Sequence, residues 1–213
     1  ILSFLIVIVF WGAFEQAGGL MNLYTKDKVD RMIGGFEIPA SVFQSLNPLF
    51  IIVFGTIVAN FWYRRSARNK EASSLFKMAL GTMIMGTGFL FMVGAAQEAG
   101  LDGKAGMYWL VAAYLFHTIG ELCASPVALS FITKLAPAKY ASLMMGLYFA
   151  TTGFGNKIAG LLGEAASEAG ELAIFGGIFG FTFLFGALIL ALLKPLNRLT
   201  HGAEESQTAG ARG

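Results

Sequence analysis

The sequence predicts an all-α membrane protein, a bundle of six transmembrane helices, on three observations. Of 213 residues, 56% are hydrophobic and only 13% charged, whereas a soluble domain charges about a quarter of its residues. The mean hydropathy is +0.66. The apolar residues fall in blocks of about 20 to 25, the length a helix needs to cross about 30 Å of hydrocarbon.

Helix one is expected over residues 1–24, beginning with "ILSFLIVIVFWGAF". That run is apolar from its first residue, without an initiator Met or a basic segment, so it reads as a chain cut at or inside a transmembrane helix rather than as a secretory signal. Helix two is expected at 38–63, helix three at 75–97, helix four at 105–133, helix five at 140–163 and helix six at 172–193. A polar tail, 194–213, completes the chain. Pro48 in "QSLNPLF" and Pro126 in "CASPVAL" each remove a backbone donor and crowd the carbonyl four residues earlier, so helices two and four should bend there. Helix five is dense in Gly and Ala, and helix six carries Gly176 and Gly180, which favours close helix packing. Cys123 is the sole cysteine, which rules out an internal disulfide.

Orientation follows from the basic residues, which accumulate on the cytoplasmic side. The 64–77 loop holds Arg64, Arg65, Arg68, Lys70 and Lys77, the 134–139 loop holds Lys134 and Lys139, and the tail holds Lys194, Arg198 and Arg212. The alternate loops hold only Lys26, Lys28, Arg31 and Lys104. The first group, with the carboxy terminus, is therefore expected in the cytoplasm, and helix one runs outward.

Glu15, Glu121 and Lys157 remain inside the apolar blocks. A charge at mid-bilayer costs at least about 2.5 to 3.5 kcal/mol, so such residues face a bundle interior or an aqueous cavity and mark an ion or substrate path. At about 1.5 Å per residue, Glu15 and Asn47 lie roughly 13 Å below the outer helix ends. Glu121, Tyr148 and Phe149 lie some 20 to 25 Å down by the same rise. His117, Glu121 and Ser125 recur every fourth residue, which puts them on one face of helix four. Lys157 sits near the outer end of helix five, where its stem can snorkel, with Glu164 two turns on. "GFGNKIAG" lacks the Gly-Lys-Ser/Thr ending of a phosphate loop and lies in a membrane helix, which excludes a nucleotide site.

Taken in order, "FWGAFEQAGG", "QSLNPLF", "GELCASPVALSFITKLAP" and "SLMMGLYFATTGFGNKIAG" resemble the carboxy-terminal half of proton-dependent oligopeptide transporters, the POT family. The resemblance spans about 1–163 and implies half of a major-facilitator fold, in which two six-helix halves rock around a midplane cavity. It also implies a missing amino-terminal half as partner, di- and tripeptides as substrates, and protons as the coupling ion, with no cofactor, metal or nucleic acid. Localisation in the cell membrane as a multi-pass protein follows.

By position, Glu121 matches the acid that engages a peptide's amino group, with Ser125 one turn below. Asn47 matches the asparagine that holds peptide backbone or carboxylate. Glu15 matches the acid linked to proton coupling. Tyr148 and Phe149 stand where the family has an aromatic pair in a side-chain pocket, and Asp27 matches an acid near the outer gate. His117, one turn above Glu121, is expected to share the substrate lining. Two departures are His117 where some members have Trp, and Phe14 where others have a second Glu. The alternative is another proton-coupled small-molecule symporter of the same fold. An intramembrane enzyme is disfavoured by the lack of an embedded Asp pair, Gly-x-Ser-x-Gly or His-Glu-x-x-His.

Overall fold

The computed structural model describes residues 2–68, 70–134 and 137–198. The first span begins as α1 (Leu2–Phe14), passes through a 3-10 turn (Glu15–Ala17) and resumes as α2 (Leu20–Lys28). The break is set by the Gly18–Gly19 pair, the poorest helix formers short of proline. The Glu15 carbonyl accepts both glycine amides, at 3.2 and 3.3 Å. Residues 1–24 are thus not one continuous helix, and the interruption begins at the acid.

After α2 the chain forms a hairpin, β1 (Met32–Ile33) and β2 (Phe36–Glu37), with Met32 opposite Glu37 and Ile33 opposite Phe36. Gly34 and Gly35, at φ 56° and 85°, make the two-residue connection, a turn that demands positive φ at both positions. Arg31 locks its base, donating to the Ile38 carbonyl at 2.5 Å, the Lys26 carbonyl at 3.2 Å and the Glu37 carboxylate at 2.5 Å. Backbone bonds of 2.8 Å from Asp30 to Ala105 and from Ala105 to Lys28 tie this region to the loop that precedes α5 (Tyr108–Lys134).

A 3-10 segment (Ala40–Ser45) leads into α3 (Leu46–Ala67). Pro48 is therefore the third residue of α3, where the first-turn amides lack intrahelical partners in any case. The expected mid-helix bend becomes a change of helix type just before Asn47. At Pro126, α5 runs on without interruption from Tyr108 to Lys134, so the helix continues through the proline.

The remaining elements are α4 (Ser74–Asp102), α6 (Ala141–Ala169), α7 (Glu171–Ala191) and α8 (Leu193–Arg198). The short α8 occupies part of the expected tail, and residues 199–213 of that tail lie outside the described residues. Ser73 caps α4 by accepting the Phe76 amide at 3.2 Å. The middle of the bundle is α4, which packs on α5 and on α7 while α1 packs on α6. The α4–α5 crossing is made by Gly81 and Gly120: a Cβ on Gly120 would lie 2.5 Å from the Gly81 carbonyl. At the far end of that pair, the Glu98 carboxylate accepts the Gly106 amide (3.1 Å), the Tyr108 hydroxyl (2.5 Å) and the Trp109 indole N–H.

Among the described residues, five segments are long and apolar enough to cross a membrane: Leu2–Lys28, Ala40–Ala67, Ser74–Asp102, Tyr108–Thr133 and Glu171–Ala191. The sixth, α6, spans 29 residues, and its Thr, Gly, Asn156 and Lys157 content keeps it out of that apolar set. None of the α3 residues is buried, and α6 also presents exposed apolar side chains such as Leu143, Phe149 and Phe154.

Candidate functional site

Three elements converge around Glu15. The 3-10 turn carries it, and Gln16 beside it is buried, with its amide nitrogen donating to the Gly12 carbonyl at 3.2 Å and the Ala159 carbonyl of α6 at 3.0 Å. The turn is thereby fastened to α6. Tyr114 of α5 fastens its other side, the hydroxyl donating to the Ala17 carbonyl at 3.2 Å. Gln16 and Tyr114 carry no sequence signal beyond being polar groups inside apolar runs.

Asn47 starts α3 facing α5. Its side-chain nitrogen donates to the Glu121 carboxylate at 2.8 Å and to the Thr118 hydroxyl at 3.1 Å. Thr118 in turn donates to the Tyr114 carbonyl at 2.8 Å. Asn47 thus links α3 to α5 through both acceptors, and its bond to Glu121 is about twice as strong when that carboxyl is ionised.

A cavity of about 160 Å³ lies between these elements, lined by Phe14, Glu15, Ala17, Gly18, Gln44, Asn47, Tyr114 and His117. Asn47 therefore joins the Glu15 cavity to Glu121. Both acids are half-buried. The local arrangement can hold a proton on either acid, or accept an ammonium group between them.

Ser125 and Tyr148 lie elsewhere, on a narrow crevice with Ile6, Val7, Phe10, Trp11, Met78, Ala124 and Ala128. Tyr148 is buried there, whereas Phe149 meets it edge-on at 5.6 Å and is 60% exposed. Asp27 is exposed near the end of α2. Lys157 is exposed on α6.

His117 departs from the expected stripe with Glu121 and Ser125. It is fully buried against α4, 4.7 Å from the Phe89 ring centroid and 6.4 Å from those of Phe14 and Tyr114. A step of four residues overshoots a helical turn by about 40°, so the stripe wraps around α5 and its three members meet different neighbours. Gly88 of α4 makes the room: a Cβ there would lie 2.8 Å from His117 Nε2. Among the described residues, no group of three or more His, Cys, Asp or Glu side chains is placed to hold a metal ion.

Known proteins with this pattern are transporters. A family model described as PTR2, POT family, matches residues 1–176. Peptide transporter YePEPT of Yersinia enterocolitica is 37% identical over 206 residues, covering 94% of this chain and 40% of the relative. A di-/tripeptide transporter of Lactococcus lactis is 33% identical over 202 residues, covering 92% and 40%. The crystal structure of peptide transporter POT in complex with sulfate matches with a TM-score of 0.85 and 31% identity, over 92% of this chain and 39% of that one. A variant of peptide transporter POT in complex with alafosfalin matches with a TM-score of 0.83, 31% identity, and 92% and 40% coverage. The chain thus spans about 40% of the length of these relatives. Its described helices form part of the fold those transporters share, and the chain belongs to a multi-pass membrane protein. With the family model matching residues 1–176 and the fold matching solved members, this chain belongs to the POT family.

Proposed function

We propose that the protein to which this chain contributes is a proton-coupled symporter that carries di- and tripeptides across the cell membrane by alternating access. The observation that carries this reading is the Asn47 bridge from Glu121 to the cavity of Glu15. A carboxylate held among membrane helices is costly unless a proton or a cation relieves it. Exchanging one partner for another changes which arrangement of the helices is favoured.

In this reading Glu121 takes the ammonium group of the peptide, and Asn47, released from it, holds peptide backbone or carboxylate. Glu15 carries the coupled proton. Tyr148 and Phe149 contribute to a side-chain pocket, with Ser125 beside Tyr148 on its crevice, and Asp27 serves an outer gate. The amino-terminal half supplies the cations that face these acids. The basic loops at 64–77 and 134–139 and the carboxy terminus lie in the cytoplasm, by the positive-inside rule. Relatives described as a peptide transporter and a di-/tripeptide transporter support the substrate class.

A second reading, transport of other small molecules that bear an amino group, is favoured by a related POT family transporter solved with 5-aminolevulinic acid, at 26% identity. The two are separated by uptake into proteoliposomes holding the full-length protein, under an imposed proton gradient. Labelled dipeptide should accumulate, and unlabelled tripeptide should compete better than 5-aminolevulinic acid. Accumulation that ignores the proton gradient would refute coupling, and absence of dipeptide uptake would refute the substrate class.

A further inference from the structure

Behind α1 lies a larger cavity, a groove of about 300 Å³ between α1, α6 and α7. Its α1 wall is Ile8, Val9, Gly12 and Ala13. Each of these stands two residues after a member of the set on the Tyr148 crevice, Ile6, Val7, Phe10 and Trp11, and two residues turn a helix by about 200°. The groove therefore occupies the opposite face of α1. None of its lining residues comes from α3 or α5, which carry Asn47 and Glu121.

Among the described residues that line it, Thr182 alone has a polar side chain, and its hydroxyl donates to the Ile178 and Phe179 carbonyls of its own helix at 2.7 and 3.1 Å. An apolar cavity of this kind stays dry and takes an apolar guest. Gly177 keeps the α7 side open, since nothing lies within 4 Å of where its Cβ would stand. Exposed Phe181, Leu184 and Leu188 continue the same face of α7, at helical spacing. The opposite face, with Phe175, Ile178, Gly186 and Ile189, is buried, and α7 packs on α4. The groove is thus continuous with the apolar outer surface of a membrane-spanning helix.

Its length identifies what fits. The 21 residues of α7 rise about 31 Å, which matches the hydrocarbon thickness of about 30 Å. Groove residues run along α7 from Ala173 to Thr182, roughly 14 Å of rise. Ala173 is close to one end of the helix and Thr182 close to its centre. The groove therefore spans one leaflet, from the edge of the hydrocarbon to the middle of the bilayer.

We propose that one acyl chain of a phospholipid, from the outer leaflet in the orientation given above, seats in this groove against the face of α1 that ends two residues before Glu15. There it packs on Ile8 and Val9, which the protein leaves only half-buried. The amino-terminal half faces the acids in the proposed arrangement, so the bilayer meets the groove, and the choice of occupant rests on that arrangement.

The test uses the full-length protein in vesicles of phosphatidylethanolamine and phosphatidylglycerol, doped with a phosphatidylcholine that carries a diazirine on its acyl chain. After illumination, labelled positions are read by mass spectrometry. Leu184, on the exposed face of α7, reports general contact with lipid. Gly12 and Ala13 are buried in the protein, and a lipid chain reaches them through the groove. Both sets should be labelled in the unaltered protein. Gly177→Phe and Ala173→Phe, which put a ring into the groove from two positions, should each lower labelling of Gly12 and Ala13 relative to Leu184 by about tenfold. Gly180→Phe, outside the groove, should leave that ratio unchanged. If either ring variant is not monodisperse, Gly177→Leu takes its place with the same readout. Unlabelled Gly12 and Ala13 beside a labelled Leu184 in the unaltered protein overturn the proposal, as does a ratio that no groove variant changes or that Gly180→Phe lowers equally. A peptide carrier with no label in the groove refutes the lipid site alone, and a labelled protein that carries no peptide refutes the transport reading alone.

Discussion

The side chain of Asn47 donates to the Glu121 carboxylate across 2.8 Å, joining the first turn of α3 to the middle of α5. Losing a hydrogen bond to a charged group costs about 1.5 to 3 kcal/mol, or roughly 10- to 100-fold in an equilibrium. In the proposed bound state Asn47 has left Glu121 and holds peptide backbone or carboxylate, so Asn47→Ala in the full-length protein should weaken dipeptide binding by about that factor. Asn47→Asp should be worse, because it sets a further carboxylate against Glu121 and on the wall of the Glu15 cavity. Competition binding with labelled dipeptide checks both, and wild-type affinity in Asn47→Asp would remove the bridge from the mechanism.

For Glu121→Gln the expectation is selective. Affinity for peptides with a free amino terminus should drop about tenfold or more, because a charge-assisted contact becomes a neutral one. Amino-acetylated analogues, which carry no ammonium, should be much less affected. Equal losses for the two series in parallel uptake inhibition curves would exclude direct contact.

Glu15→Gln keeps the shape of the side chain and removes its titration. Proton-driven accumulation of peptide should vanish while counterflow exchange persists. The measurement is paired uptake with and without a pH gradient, and accumulation that survives intact would move the coupling site elsewhere.

The α4–α5 crossing gives a prediction about stability. Gly120→Ala would set a methyl group 2.5 Å from the Gly81 carbonyl and 2.6 Å from the Met85 side chain. Overpacking of this kind costs about 1 to 3 kcal/mol. The variant should melt at lower temperature in detergent, whereas Gly100→Ala, where nothing lies within 4 Å of the added carbon, should cost less.

At the other end of that helix pair, Glu98→Ala deletes the common acceptor of the Gly106 amide, the Tyr108 hydroxyl and the Trp109 indole. Amide exchange at residues 103–108 should accelerate, with the helix centres unchanged. Protection equal to that of the parent would show that the Glu98 contacts do not hold the loop.

The long apolar runs made the spans readable because hydrocarbon thickness leaves few other solutions. Glu15 and Glu121 stood out for the same reason, as charges where charge is expensive. The break at Gly18–Gly19 was hidden, since membrane helices tolerate glycine and nothing local says whether a pair interrupts the backbone. The Met32–Glu37 hairpin was hidden as well, because two-residue strands are too short to show an alternating pattern. Pro48 was legible as a perturbation but not as a first-turn residue, which depends on where the 3-10 segment ends. The direction of His117 was set by Gly88 on another helix, and spacing within α5 carries no information about that.

The first span is held by different neighbours above and below its break. Below it, Gly12 approaches Gly155 of α6 and Gln16 is bonded to Ala159. Above it, Tyr24 meets Phe175 of α7, and Lys28 and Asp30 are bonded to Ala105. The two pieces thus have different hydrogen-bonded and close-packed companions, and the short turn that carries Glu15 joins them. A carboxyl at such a joint delivers any change in its charge to the place where a small rotation is most greatly amplified along the span.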